Sequence, residues 1–202
     1  MDTAVTKNEL TQIIDGLHLQ MVWISICIES LEYLQNIEKE KLEKSKNFWY
    51  ITKTSLVYRF SMELAKLFDE QKGLSLRRIK NMCSNNSHYF HDSSFVVNYC
   101  RDFTNQLKKY AVVCNNIKER RDKTYAHNDR DYYLFSHKAI DDFPLDMEEI
   151  KTLVLLIYNF AITMQEYIGS KRKELGYPAF SDDVKRLFGE KTENDIWLES
   201  NL

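Results

Sequence analysis

Apolar residues recur at steps of three and four along most of this chain, which is the spacing of one face of an α-helix. Near the N-terminus the stripe is followed by the charged run 38–46. It predicts a first helix from about Asn8 to Glu40. The apolar positions of this stripe are Leu10, Ile13, Ile14, Leu17, Met21, Ile24, Ile28, Leu31 and Leu34.

The same spacing continues through the middle of the chain. It predicts a second helix from about Lys46 to Glu70, for which Gly73 is a plausible stop. Ser75 can cap a short third helix through Asn81, and the polar segment 84–94 is typical of a loop. The inward-facing residues predicted for the second helix are Ile51, Leu56, Phe60, Leu64 and Leu67.

A fourth helix, bent near Tyr110, is predicted from Ser94 to about His127. The region from Asn128 to Phe143 has no sustained period and is interpreted as a surface loop.

The C-terminal third predicts one more long helix. Asp146 can cap a fifth helix over Met147 to Leu175, which the Gly and Pro of segment 176–178 would end. Segment 181–183 can begin a brief terminal helix. Because alternating strand patterns are absent, we predict an all-α bundle of about five main helices with a short C-terminal helix.

Length and composition favour a single helical domain. The chain has 202 residues with 5 Gly and 2 Pro, so turn residues are scarce and long helices are expected. We predict one domain over residues 1–189 and an acidic tail over 190–202. A formal net charge of -2 argues against broad duplex binding, so any contact with nucleic acid should be local.

Cysteine spacing and hydropathy indicate a soluble cytoplasmic protein. The four cysteines show no Cys-x-x-Cys pair and lie among apolar neighbours, as reduced core residues do. No secretory signal is evident, and the apolar runs Met21 to Ile28 and Leu153 to Phe160 are shorter than the roughly 20 residues of a membrane span.

The stretch from Lys118 to Asp131, KERRDKTYAHNDRD, holds the densest mixture of charged groups in the chain. An arginine can hold a phosphate by paired, charge-assisted hydrogen bonds, and a histidine can move a proton near neutral pH without a metal. Those two abilities are the minimum for cutting a phosphodiester by internal attack. The competing interpretation is a solvated helix end, where the dipole favours cations.

Helix geometry complicates a site built from this stretch. On an ideal helix Arg121 and His127 lie about 120° apart around the axis and about 9 Å apart along it. Arg120, Lys123 and His127 fall on nearly one stripe. Three arrangements therefore remain: Arg120 takes part, the helix loosens near Tyr125, or a second subunit completes the site.

The order of residues in this stretch resembles the motif of HEPN domains, and within them the abortive-infection AbiU2-like branch. The likeness lies in an arginine, a polar residue and a histidine after five intervening residues, and it extends over roughly Leu10 to Ile168. The matching segments are Arg121-Asp122, Ala126-His127-Asn128-Asp129, Tyr58-Arg59-Phe60, Phe68-Asp69 and Gly73-Leu74-Ser75-Leu76.

The resemblance implies roles for these residues. His127 would be a general base or acid, Arg121 would bind and stabilise the phosphate, and Asp122 would orient its neighbour. It also implies a homodimer in which the motifs of two subunits meet in one cleft, and a toxin or phage-defence setting with an antitoxin or regulatory partner. The candidate substrate-binding residues are Arg120, Lys123, Tyr125, Asn128 and Asp129, with Tyr132 and Tyr133 able to stack on a base.

The remaining histidines carry weaker hypotheses. His18 is expected at the edge of the core, and His137 has no evident partner. His88 and His91 share a loop with Asp92, but a tetrahedral metal site needs further ligands, so we predict neither a metal nor a cofactor.

Taken with the resemblance to HEPN domains, the charged stretch favours a metal-independent endoribonuclease that acts on RNA. The alternatives are a noncatalytic RNA- or nucleotide-binding sensor or adaptor and a purely structural helical partner.

Overall fold

The computed structural model describes residues 5–70, 73–126, 130–131, 137–170, 180–187, 189 and 191. These residues form helices and no strand, which confirms the all-α prediction. The α-helices are α1 (Lys7–Asn36), α2 (Lys39–Glu43), α3 (Lys46–Phe68), α4 (Leu76–Asn85), α5 (Ser93–Leu107), α6 (Ala111–Arg120), α7 (Lys138–Asp142), α8 (Met147–Ile168) and α9 (Phe180–Leu187).

Polar side chains cap the beginnings of α1, α4, α5 and α8. Thr6 and Glu9 form a reciprocal capping box at the start of α1. Ser75 accepts a hydrogen bond from the backbone N–H of Arg78, and Asp146 accepts two from the first turn of α8, so both predicted caps are confirmed. The carboxylate of Asp92 caps α5, which begins one residue before the predicted Ser94.

Two helices end earlier in the chain than predicted. The first helix ends at Asn36, because Ile37 adopts an extended conformation where the apolar stripe has finished and the charged run 38–46 begins. The chain then forms the separate α2. The fifth helix ends at Ile168 rather than Leu175, because Gly169 adopts a left-handed φ of 75° that closes the helix. Segment 171–179, with its predicted stop at Gly176, lies outside the described residues.

Other boundaries shift by shorter distances. The fourth predicted helix is bent where expected, since a 3-10 turn over Lys108–Tyr110 separates α5 from α6. The third helix extends beyond Asn81 to Asn85, and Cys83 joins its buried face one turn after Ile79. The predicted loop between 128 and 143 contains α7, although much of that segment lies outside the described residues.

The core forms where α1 packs against α3 and α8, with α4, α5 and α6 completing the bundle. The predicted stripe of α1 is buried, apart from the half-buried Ile13. One inward prediction was wrong: Ile51 is 62% exposed, because Trp49 fills the interior at that level by packing against Leu34 and Val184. Val184 therefore attaches the terminal helix α9 to the bundle.

The cysteines and His18 lie as the sequence predicted. All four cysteines are free thiols; Cys27, Cys83 and Cys100 are buried and Cys114 is half-buried. Burial raises the pKa of Cys100 to about 11, which keeps its thiol protonated. His18 is half-buried and meets Tyr158 edge to face, with ring centroids 5.3 Å apart.

Helix α1 has a property that the interrupted apolar runs did not predict. By length and mean hydropathy alone its 30 residues could cross a membrane. In the fold, 44% of its most apolar window is buried, and α1 contacts mainly α3 and α8, with smaller contacts to α4 and α9. This is the packing of a core helix in a bundle.

Candidate functional site

The backbone changes its winding within the charged stretch. Helix α6 ends at Arg120, and Arg121–Ala126 form a π-helical turn, in which hydrogen bonds span five residues and the helix widens. The turn packs against α3. The helix therefore does loosen at the motif, but His127 lies outside the described residues, and its position relative to Arg121 stays a prediction.

Two carboxylates hold the side chain of Arg121. Its Nε donates to Oδ1 of Asp122 at 2.6 Å, and its Nη1 donates to Oδ2 of Asp69, at the end of α3, at 3.2 Å. The side chain is 14% exposed. The hydrogen bond to Asp122 is the main cause of a raised pKa for Arg121, and Asp69 adds to it, so the guanidinium stays charged at any physiological pH.

One nitrogen of this guanidinium is left for a ligand. Among the described residues, Nε and Nη1 of Arg121 have acceptors, and Nη2 makes no hydrogen bond. Arg121 lies at the wall of a cleft of about 610 Å³ between α1 and α3. A phosphate entering the cleft can accept hydrogen bonds from Nη2 without displacing either carboxylate, or can replace Asp69 and take the two-pronged edge formed by Nη1 and Nη2.

The cleft beside Arg121 also has an aromatic and charged wall. Trp23 is 42% exposed there, and the guanidinium of Arg59 lies 5.1 Å from the centre of its ring. Glu63 accepts hydrogen bonds from Lys66 at 2.7 Å and from Gln20 at 3.2 Å. In total the lining carries three cations and two carboxylates, so its charge is nearly balanced.

The structure separates the two neighbouring arginines. Arg120 donates through Nε to the backbone carbonyl of Phe143 at 2.6 Å and through Nη2 to that of Ile140 at 3.4 Å. It lies against a different cavity, beside Leu31 and Val57. Arg120 thus holds the segment that follows the motif, and of these two neighbours it is Arg121 that lines the Asp69 cleft.

The other predicted site residues are described only in part. Asp122 bonds to Arg121, as its predicted orienting role requires. Lys123 is half-buried in the π-helical turn, and the backbone of Tyr125 belongs to the same turn. The residues of the hypothesis that lie outside the described part of the chain are His127, Asn128, Asp129, Tyr132 and Tyr133.

Sequence reasoning missed Asp69 as a site residue. It appeared in the segment that resembles HEPN domains, but its partner is 52 positions further along the chain. No local pattern connects residues so far apart. The signal that was available is its position, directly after Phe68 at the end of α3.

The described cleft residues can bind an anion but offer no group of ordinary pKa near 7. Arginine, lysine and carboxylate side chains hold their charges at neutral pH. Within the part of the chain that the structure describes, no three His, Cys, Asp or Glu side chains are grouped as ligands of a metal ion would be. A proton-transfer group would therefore have to come from the residues that follow Ala126.

Comparison with known proteins gives one match. A family model for AbiU2, a kind of HEPN domain, matches residues 7–187. Neither a curated protein nor a solved structure matches the chain. The matched range contains α1 through α9, including the Asp69–Arg121 pair and the whole motif from Arg121 to Asp129.

Proposed function

The chain belongs to the AbiU2 family of HEPN domains, and from this membership we propose that it is a metal-independent endoribonuclease of bacterial defence or of a toxin system. The observation that carries the proposal is Arg121, a nearly buried cation fixed by Asp69 and Asp122 with one nitrogen directed to no other described group. A cation held in this way is prepared to stabilise charge on a phosphate oxygen.

In the proposed reaction the ribose 2′-hydroxyl attacks the adjacent phosphorus. A bond forms between O2′ and phosphorus, and the bond from phosphorus to O5′ breaks. His127 takes the proton from the 2′-hydroxyl or supplies one to the departing 5′ oxygen, and solvent water makes the other transfer, so the proton lost by O2′ is balanced by the one gained by O5′. Arg121 stabilises the charge that develops on the phosphate oxygens. The products are a 2′,3′-cyclic phosphate and a 5′-hydroxyl end.

The direct test is incubation of the purified protein with total RNA, with and without a chelator of divalent ions. We expect discrete cleavage products at equal rates in both samples, with one cyclic phosphate end and one 5′-hydroxyl end at each cut, because the proposed residues supply the charge and the proton transfer themselves. Cleavage that stops when the chelator is added would contradict the mechanism. RNA binding without any cleavage would favour the noncatalytic sensor or adaptor instead.

We also propose that the protein acts as a homodimer in which the π-helical turns of two subunits lie side by side. The resemblance to HEPN domains implies such pairing, and the described residues of the Arg121 cleft include no proton-transfer group that ionises near pH 7, so the motif of a second subunit would supply one. Light scattering at tens of micromolar protein should give the mass of a dimer. A strict monomer at that concentration would remove the argument for a shared site.

Mixed dimers can show whether the two residues come from different subunits. Neither Arg121→Ala nor His127→Ala alone should cleave RNA efficiently. If one subunit supplies Arg121 and its partner supplies His127, each mixed dimer retains one intact site, and re-equilibrated mixtures should recover about a quarter of wild-type activity. If both residues come from the same subunit, mixing should recover nothing.

A further inference from the structure

A second cavity, of about 380 Å³, lies between α3, α4, α5 and α6. Leu67 lines both this cavity and the Arg121 cleft, but the other lining residues differ. The volume falls within the range of small-molecule sites in proteins. Neither the proposed RNA cleavage nor the family match assigns a role to it.

The floor of this cavity is apolar. Leu67 and Phe68 contribute from α3, Leu76 from α4, and Phe103 from α5. Cys114 adds a thiol from α6, and burial raises the pKa of that thiol to about 12, so it is uncharged at neutral pH. This surface would be covered favourably by the apolar body of a ligand.

The rim of the same cavity is cationic. Arg77, Lys80, Lys108 and Lys118 surround it, and the single carboxylate is Glu70, which already pairs with Arg77 at 2.7 Å. Among the described residues, none of the three lysines has a carboxylate within 4.0 Å of its ammonium group. In a chain whose net charge is -2, this concentration of positive charge is local.

We propose that this cavity binds a small amphipathic anion, with its apolar body on the floor and its negative group held by Lys80 and Lys118. These two lysines are half-buried, whereas Lys108 is exposed and Arg77 is shared with Glu70. Partial burial strengthens a charge-assisted hydrogen bond. An RNA backbone is the poorer fit, because a phosphate chain would leave the apolar floor uncovered.

The test uses full-length protein and the fluorescent probe 1-anilinonaphthalene-8-sulfonate, which has an aromatic body and one negative charge. We expect saturable binding of one probe per chain, and weaker binding of the neutral analogue that lacks the sulfonate. Lys80→Ala and Lys118→Ala should each lower the affinity for the probe by about 10-fold. Lys109→Ala is the matched control, because Lys109 is an exposed neighbour of Lys108 outside the cavity, and it should have no effect.

A second variant can fill the cavity without changing a core residue. Ala111 is an exposed lining residue, so Ala111→Phe should fold normally, as circular dichroism can verify, and should abolish probe binding. Adenosine monophosphate and decanoate serve as competitors that distinguish an aromatic phosphate from an aliphatic carboxylate, and at least one should displace the probe.

Three results would overturn this proposal. The first is equal probe affinity in the wild type, both lysine variants and Ala111→Phe. The second is a loss of probe affinity in Lys109→Ala as large as the loss in the two lysine variants. The third is failure of both small competitors to displace the probe. If a short RNA displaces it where they fail, the cavity belongs to an RNA-binding surface.

Discussion

Replacing His127 with alanine is expected to lower RNA cleavage by about 10²- to 10⁴-fold, the usual contribution of a general acid or base. RNA affinity should change little, because Arg121 keeps its contacts with Asp69 and Asp122 and remains in the cleft. The measurement is a single-turnover cleavage rate together with an equilibrium binding constant for the same RNA.

The matched control for this variant is His88→Ala. His88 is exposed in the 3-10 turn between α4 and α5, where its ring contacts Tyr89. Its removal should leave both cleavage and binding at wild-type levels. Equal cleavage by His127→Ala and the wild type would show that proton transfer does not depend on His127.

Replacing Arg121 with alanine is expected to reduce cleavage by about 10²-fold or more and to weaken RNA binding as well, because the contact exists before and during the reaction. The loss has a second cause. Without the guanidinium, the carboxylates of Asp69 and Asp122 lose their shared cation and would face the phosphate. Arg121→Lys should not restore activity, since an ammonium cannot donate to both carboxylates and the phosphate with the geometry of a planar fork.

Two further variants separate these causes. Adding Asp69→Asn to Arg121→Ala removes one repelling carboxylate and should recover part of the binding but not the cleavage. Arg101→Ala is the control for loss of an arginine, because Arg101 is 68% exposed and its nearest carboxylate partner is Asp102 at 3.9 Å. Unchanged RNA binding in Arg121→Ala would refute the proposed phosphate contact.

Local signals in the sequence predicted the helices and their beginnings. The apolar stripe of α1 and the caps at Ser75 and Asp146 depend on residues within one or two turns. The bend near Tyr110 is also a local feature of the backbone. Predictions from such signals hold in the folded protein because they depend on neighbouring residues and not on tertiary contacts.

The errors in the predicted fold have physical causes. The fifth helix was predicted to end at the Gly and Pro of segment 176–178, whereas Gly169, with its left-handed backbone, ends it directly after Ile168. Ile51 was placed inward by spacing alone, whereas the position of Leu34 and Val184 gives the interior site to Trp49. Competition between residues for one interior position depends on the tertiary packing.

The candidate site was likewise predicted where it depends on local sequence and missed where it depends on tertiary packing. The sequence singled out Arg121 and Asp122 by their types and order, and the structure brings them together. It could not identify Asp69 as the second partner, since that contact depends on how α3 packs against the π-helical turn. Nor could it distinguish Arg120 from Arg121, which differ by the backbone carbonyls that Arg120 binds.

Internal attack by the ribose 2′-hydroxyl can be tested with two matched RNAs. One is a short RNA with one mapped cleavage site. The other is the same RNA without the 2′-hydroxyl on the nucleotide before the scissile bond. Both RNAs carry the same phosphates and should bind with equal affinity. We predict that the ribose form is cleaved to a cyclic phosphate and that the deoxy form is not cleaved at that bond, because the nucleophile is absent. Cleavage of the deoxy form at a comparable rate would contradict this mechanism.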